Sequence, residues 1–340
     1  MKHPIITSLG LVVLAGVSLV TPASAAIITT SDTFGKGANV FTMDFVTIGN
    51  PGNANDSHGT GYGGVANTFR MSTYEVSVDM VSKANAPPGG LGITLDGRQA
   101  DKPATSVSWN EAARFVNWLN VSSGSVAAYK FSIQPGGVGY SANANIALWT
   151  SGEAGYNDKN PFRNSNAKYF LPSENEWYKA AYYDPNKTGG AGYYDFATGS
   201  DSVPTAVASG TSGAVYNQDL GADPADITLA GGLSPYGTMG QGGNALEWME
   251  TNNSGINNLP DSKRGLRGGA WFDNSGGLIS SYRSLFGRVP SYEDTGYAFY
   301  EGFRVASSEF AAVPEVTSSF TLLGLISSGL LLRRRTKHLR

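Results

Sequence analysis

A carboxylate within an apolar stretch is the first feature of this sequence that could do chemistry. Glu247 lies between Leu246 and Trp248 in SPYGTMGQGGNALEWME, residues 234–250, and these neighbours indicate an interior position. An unpaired buried charge is costly, so a cation, a set of backbone N–H groups or a partner side chain must stabilise it. The sequence leaves these three possibilities open.

The residue types available for other chemistries are few. The chain has no cysteine, and its three histidines are His3, His58 and His338. Only His58 lies outside the predicted terminal signals described below, and the turn-rich residues around it predict a surface loop. No G-x-S-x-G, P-loop or H-E-x-x-H motif occurs. A hydrolytic carboxylate pair could be drawn from the following residues: Asp273, Glu293, Asp294 and Glu301.

Both ends of the chain carry export features. Residues 1–25 begin with a basic residue, continue as an apolar run and end in small residues, which predicts a secretory signal peptide cleaved after Ala25. A membrane anchor is the alternative. At the other end, an apolar stretch at 320–332 precedes three arginines, which would stay cytoplasmic if the stretch entered a membrane.

Residues 313–340 resemble the bacterial PEP-CTERM sorting signal, because Val313-Pro314-Glu315 is followed by an apolar helix and a basic tail. The resemblance implies a transient transmembrane anchor, processing by an exosortase, and release to the cell surface or an exopolysaccharide matrix. Val316 replaces the usual second proline, which leaves removal of the tail open. A plain tail anchor is the alternative.

The segment between these signals, residues 26–312, is long enough for one large domain with a hydrophobic core. The formal net charge of −3 argues against nucleic acid or an anionic membrane surface as a partner. The 44 glycines and abundant Asn, Ser and Tyr predict a loop-rich α+β domain with short strands. No linker or internal repeat divides it.

Local patterns place two main helices and one strand. Ser108 with Glu111, and Ser173 with Glu176, form S-x-x-E capping boxes that each precede an apolar stripe at helical spacing. Both glutamates are therefore assigned to capping rather than to catalysis. Alternation in FTMDFVTIGN predicts a strand with the following residues on one face: Phe41, Met43, Phe45 and Thr47.

Six blocks, taken in order, resemble the formylglycine-generating enzyme (sulfatase-modifying factor) superfamily. They are YEVSVDMVSKAN, PATSVSWNEAARFVNWLN, YFLPSENEWYKAAYY, SPYGTMGQGGNALEWME, RGLRGGAW and the pair YRSLFGRV and EGFRVA. They extend from about residue 41 to 306, and although single blocks are weak signals, six in the family order are specific. The resemblance implies a variant of the C-type lectin fold with structural calcium.

The resemblance also implies where calcium would bind. In the family, the G-N-x-x-E-W block supplies backbone carbonyls and a carboxylate, which correspond here to Gly243, Ala245 and Glu247. Such hard oxygen ligands suit Ca²⁺. Gly240 stands where the family has Asp or Asn, so one oxygen ligand is missing. A second site maps loosely onto YNQDLGADPADI, with these candidate ligands: Asn217 and either Asp219 or Asp223.

The redox chemistry of the superfamily requires residues that this chain lacks. Formylglycine generation uses two copper(I)-binding cysteines, and Asp273 and Leu278 lie near those positions. A second branch of the superfamily holds non-haem iron with three histidines, whereas only His58 remains here after the predicted processing. We therefore expect neither copper nor iron, and we assign no catalytic residue.

These observations favour an exported, non-catalytic surface or matrix protein that binds glycan or protein ligands. An oxidoreductase or metal-dependent enzyme with a rebuilt site, and an accessory factor for exported sulfatases, are the alternatives. Three arginines, Arg267, Arg283 and Arg304, are interpreted as structural ion-pair partners, or alternatively as a pocket for an acidic or sugar ligand. Candidate aromatic residues for stacking on sugar rings are the following: Trp149, Tyr156, Tyr193 and Tyr194.

Overall fold

The protein is described by a computed structural model that covers residues 27–57, 61–252, 254, 258–284, 287–292 and 300–308. All of these belong to one compact unit. The predicted signal peptide, His58 and the C-terminal sorting signal lie outside the described residues. The predicted domain boundaries, 25/26 and 312/313, therefore remain predictions.

The described residues form short helices and strands joined by long irregular segments. The helices are α1 (Val78–Asn85), α2 (Trp109–Ser122) and α3 (Glu174–Tyr182). The strands are β1 (Thr29–Phe34), β2 (Phe41–Ile48), β3 (Phe69–Ser72), β4 (Tyr169–Phe170), β5 (Tyr183–Asp184), β6 (Gly192–Tyr193), β7 (Ala206–Val207), β8 (Ala214–Val215), β9 (Leu246–Asn252), β10 (Arg264–Arg267), β11 (Glu301–Gly302) and β12 (Ala306–Ser307). This composition confirms the predicted loop-rich α+β class.

Two sheets organise the domain. One has the order β1-β2-β3-β12-β4, and the other has β9 between β10 and β11. Residues 301–307 contribute one strand to each sheet, because β11 pairs with β9 in parallel while β12 pairs with β3 and β4. The short connection between β11 and β12 therefore places Arg304 where the two sheets meet.

Helix α2 forms where the capping box predicts it. The Ser108 hydroxyl accepts a hydrogen bond from the Glu111 N–H, and the Glu111 carboxylate accepts one from the Ser108 N–H. Glu111 also accepts the Thr94 N–H at 2.7 Å, so its carboxylate serves the backbone of two segments. The predicted apolar stripe is buried, with the following members: Ala112, Phe115, Val116 and Leu119.

Helix α3 confirms the second capping box, since Ser173 and Glu176 make the same reciprocal bonds. The chain leaves the helix directly into β5, and Pro185 follows one residue after that strand. Trp177, on the predicted apolar stripe, is fully buried. Its position becomes important at the site described below.

Strand β2 forms as predicted, but its alternation ends early. Thr47 is half-buried, whereas Val46 and Ile48 are buried. The reason is that both faces of β2, an inner strand between β1 and β3, are covered here. The loop at Gly237 packs on the face that carries Val46, since a Cβ added to Gly237 would lie 3.4 Å from a Val46 methyl group. An amphipathic pattern persists only where one face of a strand meets solvent.

Within the part of the chain that the structure describes, no helix is both long and apolar enough to cross a membrane. The apolar segment predicted to anchor the chain lies outside those residues.

Candidate functional site

Glu247 is fully buried near the start of β9, and a partner side chain stabilises its charge. Arg304 approaches it in bidentate fashion, with Nη2 donating to Oε1 and Nε donating to Oε2, each at 2.7 Å. The Trp177 indole N–H donates to Oε2 as well. Of the three possibilities that the sequence left open, the structure shows this one.

Arg304 is itself fully satisfied in the interior. Besides Glu247, its guanidinium donates to the carbonyl of Ser72 at 3.1 Å and to the carbonyl of Met239 at 2.8 Å. It thereby ties the end of β3, the glycine-rich loop before β9, and β9 itself to one cation. A planar guanidinium suits this role because its five donors point in fixed directions.

A second buried carboxyl group, that of Glu75, lies in the same cluster. It accepts the Asn244 side-chain N–H at 2.6 Å and the Ala245 backbone N–H at 3.0 Å. Burial, and next the charge of Glu247, raise the pKa of Glu75 to about 8. One arginine therefore faces two glutamates, and the second of them is held largely protonated near neutral pH.

Glu75 is a site residue that the sequence analysis missed. It has the same local signature as Glu247, a glutamate between large residues, in Tyr74-Glu75-Val76. That signature, within the YEVSVD block, was a signal that could have found it. Gly240 is adjacent: a Cβ built there would lie 3.1 Å from the Glu75 carboxyl carbon, and φ at Gly240 is +81°. The family has an Asp or Asn side chain at this position. Here the carboxyl group of Glu75 lies against Gly240, in the space next to the missing side chain.

The predicted calcium ligands can be compared with these contacts. Both Glu247 oxygens are held by Arg304 and Trp177, so the carboxylate is not available to a cation in this arrangement. Among the described residues, no group of three or more acidic or histidine side chains lies together. The Glu247 contacts do not fit a calcium ligand, and the Gly243–Ala245–Glu247 site remains a prediction that they do not favour.

The second predicted calcium site lies on the surface. Asn217 and Asp219 are exposed, and the Asn217 N–H donates to the Asp273 carbonyl at 2.8 Å. Asp223 makes an ion pair with Arg98 at 3.3 Å. This ligand set likewise remains a prediction.

The positions of the family's copper-binding cysteines have other roles in this structure. The Asp273 carboxylate accepts the Ala270 N–H at 2.8 Å, and burial raises the pKa of Asp273. Leu278 is buried in a small apolar cluster with Phe196, Ala214 and Tyr216. Neither position carries a soft ligand for copper(I), and the second is part of the core.

The remaining acidic candidates do not form a described hydrolytic pair. Glu301 pairs with Arg288 at 2.7 Å. Glu293 and Asp294 lie outside the described residues.

Arg267 and Arg283 also make ion pairs, as Arg304 does, which confirms the prediction that these arginines are structural ion-pair partners. Arg267 Nε and Arg283 Nη2 both contact the buried Glu174 carboxylate, at 2.7 and 2.6 Å. Arg267 also donates to the carbonyls of Ser280 and Tyr282. The three arginines thus link strands to loops in a domain that has little regular structure.

The predicted sugar-stacking aromatic residues differ in exposure. Tyr193 is buried among Tyr178 and Tyr183, so its assignment as a surface residue is wrong. It is buried because the β5–β6 hairpin folds back onto α3. Tyr156 is 36% exposed, and Trp149 is partly exposed. Tyr194 is also partly exposed.

Comparison with known proteins agrees with this architecture. The sulfatase-modifying factor enzyme 1-like domain matches residues 42–309, so the chain belongs to that family. The fold is similar to that of Treponema denticola variable protein 1, at 18% identity and a TM-score of 0.53, covering 82% of this chain and 99% of that one. No curated protein matches the chain significantly.

Two other solved structures align over most of the chain with lower scores. CarF aligns at 18% identity over 83% of this chain and 98% of its own, with a TM-score of 0.45. PvdO from Pseudomonas aeruginosa aligns at 15% identity over 81% of this chain and 97% of its own, with a TM-score of 0.47.

Proposed function

We propose that this protein is an exported, non-catalytic member of the sulfatase-modifying factor family that uses the scaffold to bind glycan or protein ligands. The observation that carries the proposal is the chemistry at positions 273 and 278. Asp273 is hydrogen-bonded to backbone and Leu278 is core. With no cysteine in the chain, copper(I) has no thiolate ligand.

The location follows from the predicted terminal signals. Export through the signal peptide, a transient membrane anchor and exosortase processing would place the protein at the cell surface or in an extracellular matrix. Exopolysaccharide and surface proteins would then be the abundant ligands nearby. The chain has no cysteine and therefore no disulfide, and buried ion pairs such as Glu247–Arg304 and Glu174–Arg267 link its distant segments.

Binding to an array of glycans and surface-protein fragments, with and without calcium, tests the proposal. We expect at least one ligand class to bind the purified secreted protein, and we expect chelation to leave binding unchanged because the Glu247 charge is met by Arg304. Absence of binding under both conditions would contradict the proposal. Co-purification of a sulfatase would instead favour an accessory role in sulfatase maturation.

A further inference from the structure

A groove between α1 and α2 has a chemistry that none of the predicted sites uses. It is bounded by the turn after β1, the end of α1, one face of α2 and the loop that follows α2, and it encloses about 490 Å³. We call it the α1–α2 groove and define it by these residues: Lys36, Lys83, Arg114, Trp118 and Phe131. Its volume lies within the range of small-molecule sites.

The charge of the groove is one-sided. Among the described residues that line it, Lys36, Lys83 and Arg114 are cationic and none is acidic, although the whole chain carries a formal net charge of −3. Lys36 is exposed, and Lys83 pairs with Asp79 one turn earlier in α1. A concave surface lined by charge of one sign concentrates ligands of the opposite sign.

Arg114 is the most unusual of these cations because it is buried and makes no ion pair with a carboxylate among the described residues. It is 2% exposed, donates to the carbonyls of Ala142 and Ile133, and stacks 3.8 Å over the Phe131 ring. Its Nη2 has no hydrogen-bond partner among the described residues. Burial of such a cation is costly unless a nearby anion or dipole compensates it.

Trp118 adds a rigid aromatic surface to the same groove. Its ring stacks on Phe41 at 5.7 Å between centroids and is also stacked against Phe115 at 6.4 Å, while the residue remains partly exposed. An indole fixed by its neighbours loses little entropy when a ligand packs on it.

From the one-sided charge, the buried guanidinium whose Nη2 has no hydrogen-bond partner among the described residues, and the fixed indole, we propose that the α1–α2 groove binds an acidic sugar of a polysaccharide. The ring of the sugar packs on Trp118, and its anionic substituent, a carboxylate or a sulfate ester, lies toward Arg114 and Lys36. This inference rests on the proposed binding function and names the ligand class. A carboxylate is planar and a sulfate ester is tetrahedral, and the oxygens of both accept hydrogen bonds from guanidinium and ammonium groups.

Titration of the full-length processed protein with three oligosaccharides of equal length tests the inference: an oligogalacturonate, a sulfated galactan fragment and a neutral galactan fragment. We expect at least one acidic ligand to bind about tenfold more tightly than the neutral one, with affinity falling as salt rises. The two acidic arms distinguish carboxylate from sulfate.

Variants locate the binding to the groove. Arg114→Gln is expected to weaken acidic binding about tenfold, and Lys36→Glu about threefold, because each removes attraction for the anion. Lys159→Glu is the matched control, since that side chain is 85% exposed outside the groove, and it should change affinity by less than about twofold. If Arg114→Gln fails to fold by thermal melting, the exposed Lys36 variant decides.

Each outcome has one interpretation. Acidic binding that both groove variants weaken supports the inference. Acidic binding unchanged in Lys36→Glu and in folded Arg114→Gln, or binding of neutral sugar or protein ligands alone, overturns the groove site and leaves the proposed binding function intact. No binding to any ligand, with or without calcium, overturns both.

Discussion

Replacement of Arg304 by methionine is expected to lower the free energy of unfolding by about 3–5 kcal/mol, because it leaves the Glu247 carboxylate buried without a cation. The pair is completely inaccessible to solvent, and Arg304 also holds the carbonyls of Ser72 and Met239. Such a loss is a large part of the stability of an ordinary domain. Chemical denaturation, or the expression level of folded protein, measures it.

Two comparisons make the Arg304 prediction specific. Lys159→Met removes an 85% exposed cation and should change stability by less than about 0.5 kcal/mol. The double variant Arg304→Met with Glu247→Met should lose less than the sum of the two single variants, because removing both charges leaves neither unpaired. A single Arg304→Met variant as stable as the wild type would contradict the prediction, because it would show that Glu247 does not depend on Arg304 to be stable in the interior.

The stability of the wild-type protein is expected to fall as pH rises from about 4.5 to about 8, through titration of Glu75. The pKa of Glu75 is raised from 4.5 to about 8 in the folded state, so the folded protein binds a proton that the unfolded chain has released over this interval. The stability that protonated Glu75 contributes is fully present below pH 4.5, the pKa of the group in the unfolded chain. It is lost as the pH rises to about 8, the pKa in the folded protein. Within this interval, the free energy of unfolding is expected to fall by up to about 1.4 kcal/mol per pH unit.

Glu75→Gln isolates this contribution. Glutamine keeps an acceptor for the Ala245 N–H but does not titrate, so the variant should gain stability relative to the wild type as pH rises across the interval. Glu153→Gln is the matched control: Lys130 and Thr150 lower the pKa of that partly exposed side chain, so its shift is opposite in direction to that of Glu75. Parallel stability curves for wild type and Glu75→Gln between pH 5 and about 8 would refute the assignment.

Local patterns predicted the parts of this fold that local interactions determine. The capping boxes at Ser108 and Ser173 place both main helices, because hydrogen bonds between residues three apart form them. The interior position of Glu247 was also predictable, since its neighbours are large and apolar.

The partner of Glu247 was not predictable in the same way. Arg304 is 57 residues further along the chain, and Glu75 is 172 residues before Glu247, so only the pairing of β11 with β9 and of β12 with β3 brings them together. The buried position of Tyr193 and the α1–α2 groove have the same origin. Each depends on segments that meet only in the folded chain.

The central claim is that this protein binds ligands and does not catalyse an oxygen-dependent reaction. Oxygen consumption tests it most directly, measured on the purified secreted protein supplied with copper(I) or iron(II) and a thiol reductant. We expect no metal to be retained in stoichiometric amount after desalting and no oxygen uptake above that of the metal and reductant alone, because positions 273 and 278 carry an aspartate and a buried leucine. Stoichiometric copper or iron with protein-dependent oxygen uptake would contradict it.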